Sequence, residues 1–263
     1  METLQILTNY YENYDEDNRL CSRYGMVEFL TTVRYIEKYL KPGMRVLEIG
    51  AATGRYSHHF ARSGYQVDAV ELVEHNIDIF NQNTTQGERI TVTQGNAKDL
   101  SIYDTDTYDI TLLLGPMYHL FTEEDKLQAL SEAIRVTKKG GIVFIAYCMG
   151  DASVLSYGFI RGEIHNIIEK CMIDPVTFET FSQPWDLFEL HRKEDIDKLR
   201  SHFAVTQLHF VATDGYANHM RKTMEEMDEE TFQLYLRYHF ATCERQDMVG
   251  YSHHTLDVFR KDG

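Results

Sequence analysis

Residues 46–57 read VLEIGAATGRYS, and they set one acid and two glycines where a ligand could be received. Glu48 closes an apolar run, and Gly50 and Gly54 bracket Ala51 and Ala52, so the backbone there carries almost no side chain. Small residues let main chain come close to a bound group, and a glycine turn leading into a helix is the usual cradle for a nucleotide-like ligand. The spacing Gly50-x-x-x-Gly54 is a poor match to the G-x-G-x-x-G fingerprint that admits a pyrophosphate. The chemistry expected at this turn is therefore the holding of a nucleoside-like group other than a dinucleotide.

The elements that position the turn follow from periodicity. Val27, Leu30, Val33, Ile36 and Leu40 fall at helical spacing, and Lys41-Pro42-Gly43 ends that helix. Strands are expected at 45–49, 66–71, 89–94, 108–114 and 141–148, with helices at 55–64, 73–83 and 123–137 between them. Residues 138–141 should form the turn before the last of these strands. Such alternation implies crossover connections and a mainly parallel sheet covered on both faces, and the runs LLL and VFIAY suit central strands. Beyond 148 the rhythm changes: a helical stretch at 152–172, an aromatic-rich irregular stretch at 178–190, and a helix at 193–201. Strands at 203–212 and 255–261 then complete the sheet, with helices near 216–226 and 229–243 between them. The expected organisation is an N-terminal helical lid (1–40), a cofactor-binding core (41–148), a cap insertion (149–192) and a sheet-completing segment (193–263) with a helical insertion at 213–250.

Composition narrows the function classes. With 263 residues the chain can bury a sizeable core, and 43% hydrophobic with 25% charged residues is ordinary for a globular protein. Formal net charge is −15, from 41 acids against 26 bases, with no Lys/Arg cluster longer than a pair. Nucleic-acid affinity rests on cations that displace counterions, so DNA and RNA are disfavoured as partners. Neither a membrane-spanning run nor a signal-peptide pattern is present, and a cytoplasmic location is expected. Cys21, Cys148, Cys171 and Cys243 are far apart and are expected as reduced, mostly buried thiols. No metal site is expected, since neither His191-Arg192 nor His253-His254 has ligand-like partners at helical spacing.

The glycine turn resembles the E/D-x-G-x-G-x-G signature of class I S-adenosylmethionine-dependent methyltransferases, with Ala52 at the middle glycine. Across roughly residues 44–148 the resemblance continues, in order, through VDAVE, GNAKDL, YDITLLLG and RVTKKGG. It implies a Rossmann-like α/β sheet, mostly parallel with one late antiparallel strand, and S-adenosylmethionine as cofactor. Glu48, by this resemblance, orders the turn and attracts the cationic end of the cofactor. Glu71, beside Leu72, is placed to accept both ribose hydroxyls, a carboxylate offering two adjacent acceptors. Asn96 meets the adenine amino group and the backbone of Ala97 a ring nitrogen, while Leu114 borders the site at the end of the fourth strand. Gly50, Ala51, Ala52 and Gly54 admit the methionine part.

The acceptor should then sit beside residues 112–121, LLLGPMYHLF. Amino-group methyltransferases acting on nucleobases or glutamine commonly carry N/D-P-P-Y here, and Gly115-Pro116-Met117-Tyr118 lacks that first carboxamide or carboxylate. His119 is the first candidate for base or substrate ligand, because histidine titrates nearest physiological pH. The bland alternative is a histidine that packs under the next helix. Tyr118 either orients the acceptor or lines the cofactor pocket. The GPMYHLF segment and the N-terminal Tyr10, Tyr11, Tyr14 and Arg19-Leu20 resemble a bacterial small-molecule subgroup, in which such a segment folds over the cofactor. Tyr14 and Arg19 are placed in the cofactor site on that basis, with Arg19 pairing the carboxylate or lying on a solvated helix. Aromatic residues of the insertions are expected to enclose a mostly apolar pocket. The expectation is a methyltransferase acting on a small molecule. A non-catalytic cofactor-binding protein and an enzyme acting on protein or RNA stand as alternatives, and a nicotinamide oxidoreductase is contradicted by the glycine spacing.

Overall fold

The computed structural model describes residues 2–263, with side chains from Leu4 onward. Eight strands form one sheet: β1 (Arg45–Ile49), β2 (Gln66–Glu71), β3 (Ile90–Gln94), β4 (Tyr108–Leu113), β5 (Thr137–Met149), the short β6 (Leu190–His191), β7 (Val205–Ala212) and β8 (His254–Lys261). Their order is β3-β2-β1-β4-β5-β8-β7, with β6 beside the end of β5. Strands β1 to β5 pair in parallel, and β8 runs antiparallel between β5 and β7. Val46, Leu47, Ile110, Leu112, Val143, Phe144 and Val258 are fully buried at the centre of the sheet. Uninterrupted apolar strands of this kind need cover on both faces.

Eleven α-helices are found among the described residues. They are α1 (Glu2–Asn13), α2 (Glu16–Arg19), α3 (Arg23–Glu37), α4 (Arg55–Arg62), α5 (Glu74–Asn83), α6 (Glu123–Val136), α7 (Gly150–Ser153), α8 (Ile164–Glu169), α9 (Lys193–Arg200), α10 (Arg221–Glu226) and α11 (Glu229–Thr242). Ser22, Thr122 and Asp228 cap α3, α6 and α11 by accepting from the N–H groups of Gly25, Asp125 and Thr231. Glu123, Glu124 and Asp125 add negative charge at the positive end of α6. Helices α4 and α5 pack on β2 and β3, and α6 on β4 and β5. The opening helices are tied down: α1 packs on α5, and Asn83 of α5 donates to Asp17 of α2 at 2.8 Å.

Several elements differ from the expectation. The turn at 138–141 is absorbed into β5, where Thr137 pairs with Tyr108 and Ile142 with Ile110; Gly140, at φ +74°, takes up the register shift as a bulge. The helical stretch at 152–172 is three pieces: α7 widens into a π-helical turn over Val154–Ile160, and Gly162 at φ +80° breaks the chain before α8. Helix α10 starts at Arg221 rather than 216, because Gly215 turns through φ +50° against the His239 ring. Cys148 and Cys243 are buried, but Cys21 and Cys171 are exposed, and all four are free. No described helix is long and apolar enough to cross a membrane.

Candidate active site

The strand order reverses between β1 and β4, and the loops that leave their carboxyl ends form a crevice there, as open α/β sheets do. After β1 the chain passes through Gly50 (φ +74°), Ala52 (φ +48°) and Gly54 (φ +87°) before α4 begins. The N–H groups of Gly50 and Ala51 both donate to the Val70 carbonyl, at 2.8 and 3.1 Å, which folds the turn back over β2. A Cβ on Gly50 would stand 2.5 Å from the Pro116 ring, so the β1 and β4 loops touch only because that residue has none. Gly54 lines neither cavity of the crevice; a Cβ there would meet the Phe80 ring at 2.4 Å. Its part is to turn the chain and pack α4 on α5, not to touch a ligand.

Two adjoining cavities fill the crevice, of about 460 and 480 Å³, and both are walled by Tyr11, Gly50, Ala52 and Gly115. Those sizes fall within the range of small-molecule sites, roughly 300–1,000 Å³. The first is also lined by Tyr14, Arg19, Glu48, Ala51, Leu114 and Tyr118. Glu71, Leu72, Asn76, Asn96, Ala97 and His119 line the second.

In the second cavity, Glu71 holds the loop together. One carboxylate oxygen accepts from the Ala52 N–H at 2.8 Å; the other accepts from the Val73 N–H at 2.9 Å and from Asn76 Nδ2 at 3.3 Å. Asn76, which lines this cavity beside the acid, has its Oδ1 buried and without a partner among the described residues. Asn96 Oδ1 accepts from the Lys98 N–H at 3.0 Å, so part of that side chain shapes its own loop. Glu48, in the first cavity, is buried on β1 and accepts from the Ser57 hydroxyl of α4. Burial without a cationic partner pushes its carboxyl up to about 8.

His119 lies in a different setting from the one expected. It lines the second cavity and not the first; Nδ1 donates to the Leu187 carbonyl at 2.8 Å, so Nε2 accepts from the Tyr11 hydroxyl at 3.0 Å. Burial pushes the imidazole down to about 4, which keeps it neutral. It joins α1 to the loop after β4, with both ring nitrogens engaged. Arg19 reaches the first cavity, but Glu16 and Glu28 each take one of its nitrogens at 2.9 Å. It is thus already paired and not held open for a carboxylate. Tyr14, stacked on Tyr10, stands at the rim.

Sequence reasoning missed the far wall of the first cavity. His254, at the start of β8, is the cross-strand partner of Cys148 at the end of β5. Its Nδ1 lies 3.0 Å from Asp214 Oδ2 and 3.4 Å from Glu28 Oε2. Asp214 is fixed in turn by the Ser252 hydroxyl at 2.5 Å and by Asn218 Nδ2 at 3.3 Å. Burial opposes charge on His254, but Glu28, Cys148 and Asp214 outweigh it and hold the imidazole well above its usual range. One ligand-type atom each from Glu28, Asp214 and His254 lies within 4.8 Å of the others. The imidazolium and Arg19 already balance the two carboxylates, so a cation would have to displace a proton and an ion pair. The residues come from α3, the loop after β7 and β8, and no local spacing announces them.

The apolar cap also needs correcting. Phe159, Phe181 and Trp185 are 54%, 46% and 72% exposed and turn away from the crevice. Of the insertion aromatics, only Phe188 lines the first cavity, whose wall is otherwise rich in charged side chains.

The fold is that of the class I S-adenosylmethionine-dependent methyltransferases, and residues 46–141 match the family described as methyltransferase domain. Demethylmenaquinone methyltransferase of Clavibacter sepedonicus is 30% identical over 104 residues, 39% of this chain and 40% of the relative. Glycine/sarcosine N-methyltransferase of Aphanothece halophytica is 27% identical over 103 residues, 38% and 39% of the two chains. The chain spans 26–44% of the length of the curated relatives it matches. Magnesium protoporphyrin IX methyltransferase of Synechocystis PCC 6803, solved with bound S-adenosylhomocysteine, shares the fold at TM-score 0.58. It is 13% identical, with 95% of this chain and 88% of that one covered.

Proposed function

We propose that the protein is an S-adenosylmethionine-dependent methyltransferase acting on a small molecule. The observation that carries this reading is the pair of adjoining cavities that meet at Gly50, Ala52 and Gly115, at the reversal of strand order. One side offers the acceptors Glu71 and Asn76 to a nucleoside, and the other a buried acid, Glu48, to an amino-acid end. The orphaned Asn76 Oδ1 and the side-chain-free loop fit such a group.

When bound, the cofactor supplies an electrophilic methyl group on a sulfonium, and its transfer is an in-line displacement that needs position above all. Glu71 and Asn76 would accept from ribose hydroxyls, and Asn96 and the backbone of Ala97 would border the base. Glu48 would ionise against the cationic amino group. Leu114, Gly115 and Tyr118 form the wall past which the acceptor approaches. Tyr10 and Tyr11 of the opening helix, with Tyr14 just past its end, would cover the crevice and exclude water. That cover, together with a net charge of −15, favours a small acceptor over a protein or nucleic acid.

Calorimetric titration with S-adenosylmethionine, S-adenosylhomocysteine and NAD tests the proposal, on the wild type and on Glu71→Gln. Both adenosyl compounds should bind and NAD should not, and the substitution should weaken binding about tenfold, the loss of a charge-assisted hydrogen bond. Silence with both adenosyl compounds on folded, ligand-free protein would sink it.

A further inference from the structure

Taking the first cavity as the acceptor's place, and so resting on the function just proposed, we infer that the acceptor substrate carries an oxyanion, a carboxylate or a phosphate. Its recognition is assigned to Arg161 and Arg221, which line that cavity.

The charges around this cavity do not cancel. Every carboxylate on its wall is accounted for within the protein. Glu16 and Glu28 hold Arg19, Glu28 and Asp214 hold His254, and Glu48 is sealed against Ser57. Arg55, which lies over the Phe29 ring, lines the same cavity, and so do Arg161 and Arg221, both exposed; among the described residues none of the three has a carboxylate within 4.0 Å. Arg161 and Arg221 are oriented by neutral partners instead. Arg221 donates through Nε to Asn218 Oδ1 at 2.7 Å and lies 4.6 Å over the Tyr24 ring, and Arg161 lies 5.9 Å over Tyr157. A guanidinium fixed at one edge keeps its other N–H groups free in a planar fork, the geometry that matches carboxylate or phosphate oxygens.

Two further features make the placement selective. Arg161 sits just past the π-helical turn of Val154–Ile160, and Arg221 opens α10, so the two cations reach the cavity from separate insertions. Asn218 bridges the two systems, because it accepts from Arg221 and donates to Asp214, the carboxylate that holds His254. In a chain of net charge −15 this sets exposed positive charge at the mouth of a cleft, where it can draw in an anion.

The test is calorimetry on protein saturated with S-adenosylhomocysteine, with benzoate, hexanoate and inorganic phosphate set against the neutral benzamide and hexanamide. At least one oxyanion should bind about tenfold more tightly than the neutral probes, and Arg221→Gln and Arg161→Gln should each weaken it about fivefold or more. Preference for the carboxylates or for phosphate decides which oxyanion is meant. Equal binding of acid and amide, binding by no oxyanion, or arginine variants that bind as the wild type does would each overturn the inference. So would variants that lose S-adenosylhomocysteine in proportion, since the arginines would then serve the cofactor. Failure of S-adenosylhomocysteine to bind the wild type would count against the proposed function alone. The same anions titrated into the ligand-free protein would still decide the present point.

Discussion

Tyr11 and His119, 108 positions apart in the chain, meet hydroxyl to imidazole at 3.0 Å. The contact fastens the opening helix across the crevice, and Tyr11 walls both cavities at that point. The histidine's other nitrogen is spent on the Leu187 carbonyl, so the ring is oriented from both sides.

Loosening this fastening should act on ligand exchange more than on chemistry. Tyr11→Phe removes one hydrogen bond, worth about 1 kcal/mol, and should raise the dissociation rate of S-adenosylhomocysteine about fivefold. Stopped-flow displacement measures it, and an unchanged rate would show that the helix is not a gate. Because burial lowers His119 to about 4, the folded protein binds fewer protons there than the unfolded chain. The contribution to stability is therefore present above about pH 6.5 and lost as pH falls toward 4.

Glu48 should report cofactor binding as a proton. Its carboxyl, raised to about 8 by burial, is mostly protonated at neutral pH, and a cationic amino group placed beside it would drive the proton off. Titration at pH 7 in buffers of different ionisation enthalpy should show release approaching one proton, absent in Glu48→Gln. Release that persists in the variant would assign the proton elsewhere. In the free protein the sign is the reverse of a paired carboxylate: stability is greatest below pH 4.5 and declines as pH rises through about 8.

Ala52 lies at φ +48°, a region that costs an L-residue about 1 kcal/mol. Ala52→Gly removes the strain but widens the unfolded ensemble, so thermal unfolding should show a net gain of up to about 1 kcal/mol. Its N–H still reaches Glu71. A clear loss of stability would mean that the Cβ packs against something of value.

Asp214 carries the far wall of the first cavity. Burial opposes its charge, but the hydrogen bond and charge of His254 hold it well below the usual carboxylate range. Its contribution to stability is therefore present above about pH 3.8 and lost as pH falls further. Asp214→Asn keeps the shape and removes the counter-charge. It should cost about 3 kcal/mol and return His254 toward the ordinary histidine range, read by NMR of labelled imidazoles. An unmoved titration of His254 would mean that Glu28 alone holds the proton.

The sheet from β1 to β4 was legible because buried parallel strands announce themselves as short apolar runs, as in VLEI and ITLLL, bounded by turn residues. The placement of Glu48, Gly50, Ala52, Glu71 and Asn96 at the crevice was legible for the same reason: they stand at or just past the ends of those strands, where register fixes their place. Ala52 taught a different lesson from the one expected. Its departure from glycine matters through φ rather than through size. His119 misled because a histidine next to a strand end reads alike whether its ring faces a substrate or a neighbouring helix; burial and partners decide, and they are tertiary facts. The network of Glu28, Asp214 and His254 was illegible, since its members approach only once β8 has inserted between β5 and β7. The exposed aromatics of the insertions were read as pocket walls because composition carries no direction.

The placement of β8 has a consequence for how such a chain can change. The match to the methyltransferase-domain family covers residues 46–141, while Glu28, Cys148, Arg161, Asp214, Arg221 and His254 all lie outside that span. One half of the crevice is built from consecutive strand ends, the other from segments that arrive late in the chain and interlock across it. The far wall of the first cavity is thus encoded apart from the glycine loop, and it can be altered without a change in the residues that shape that loop.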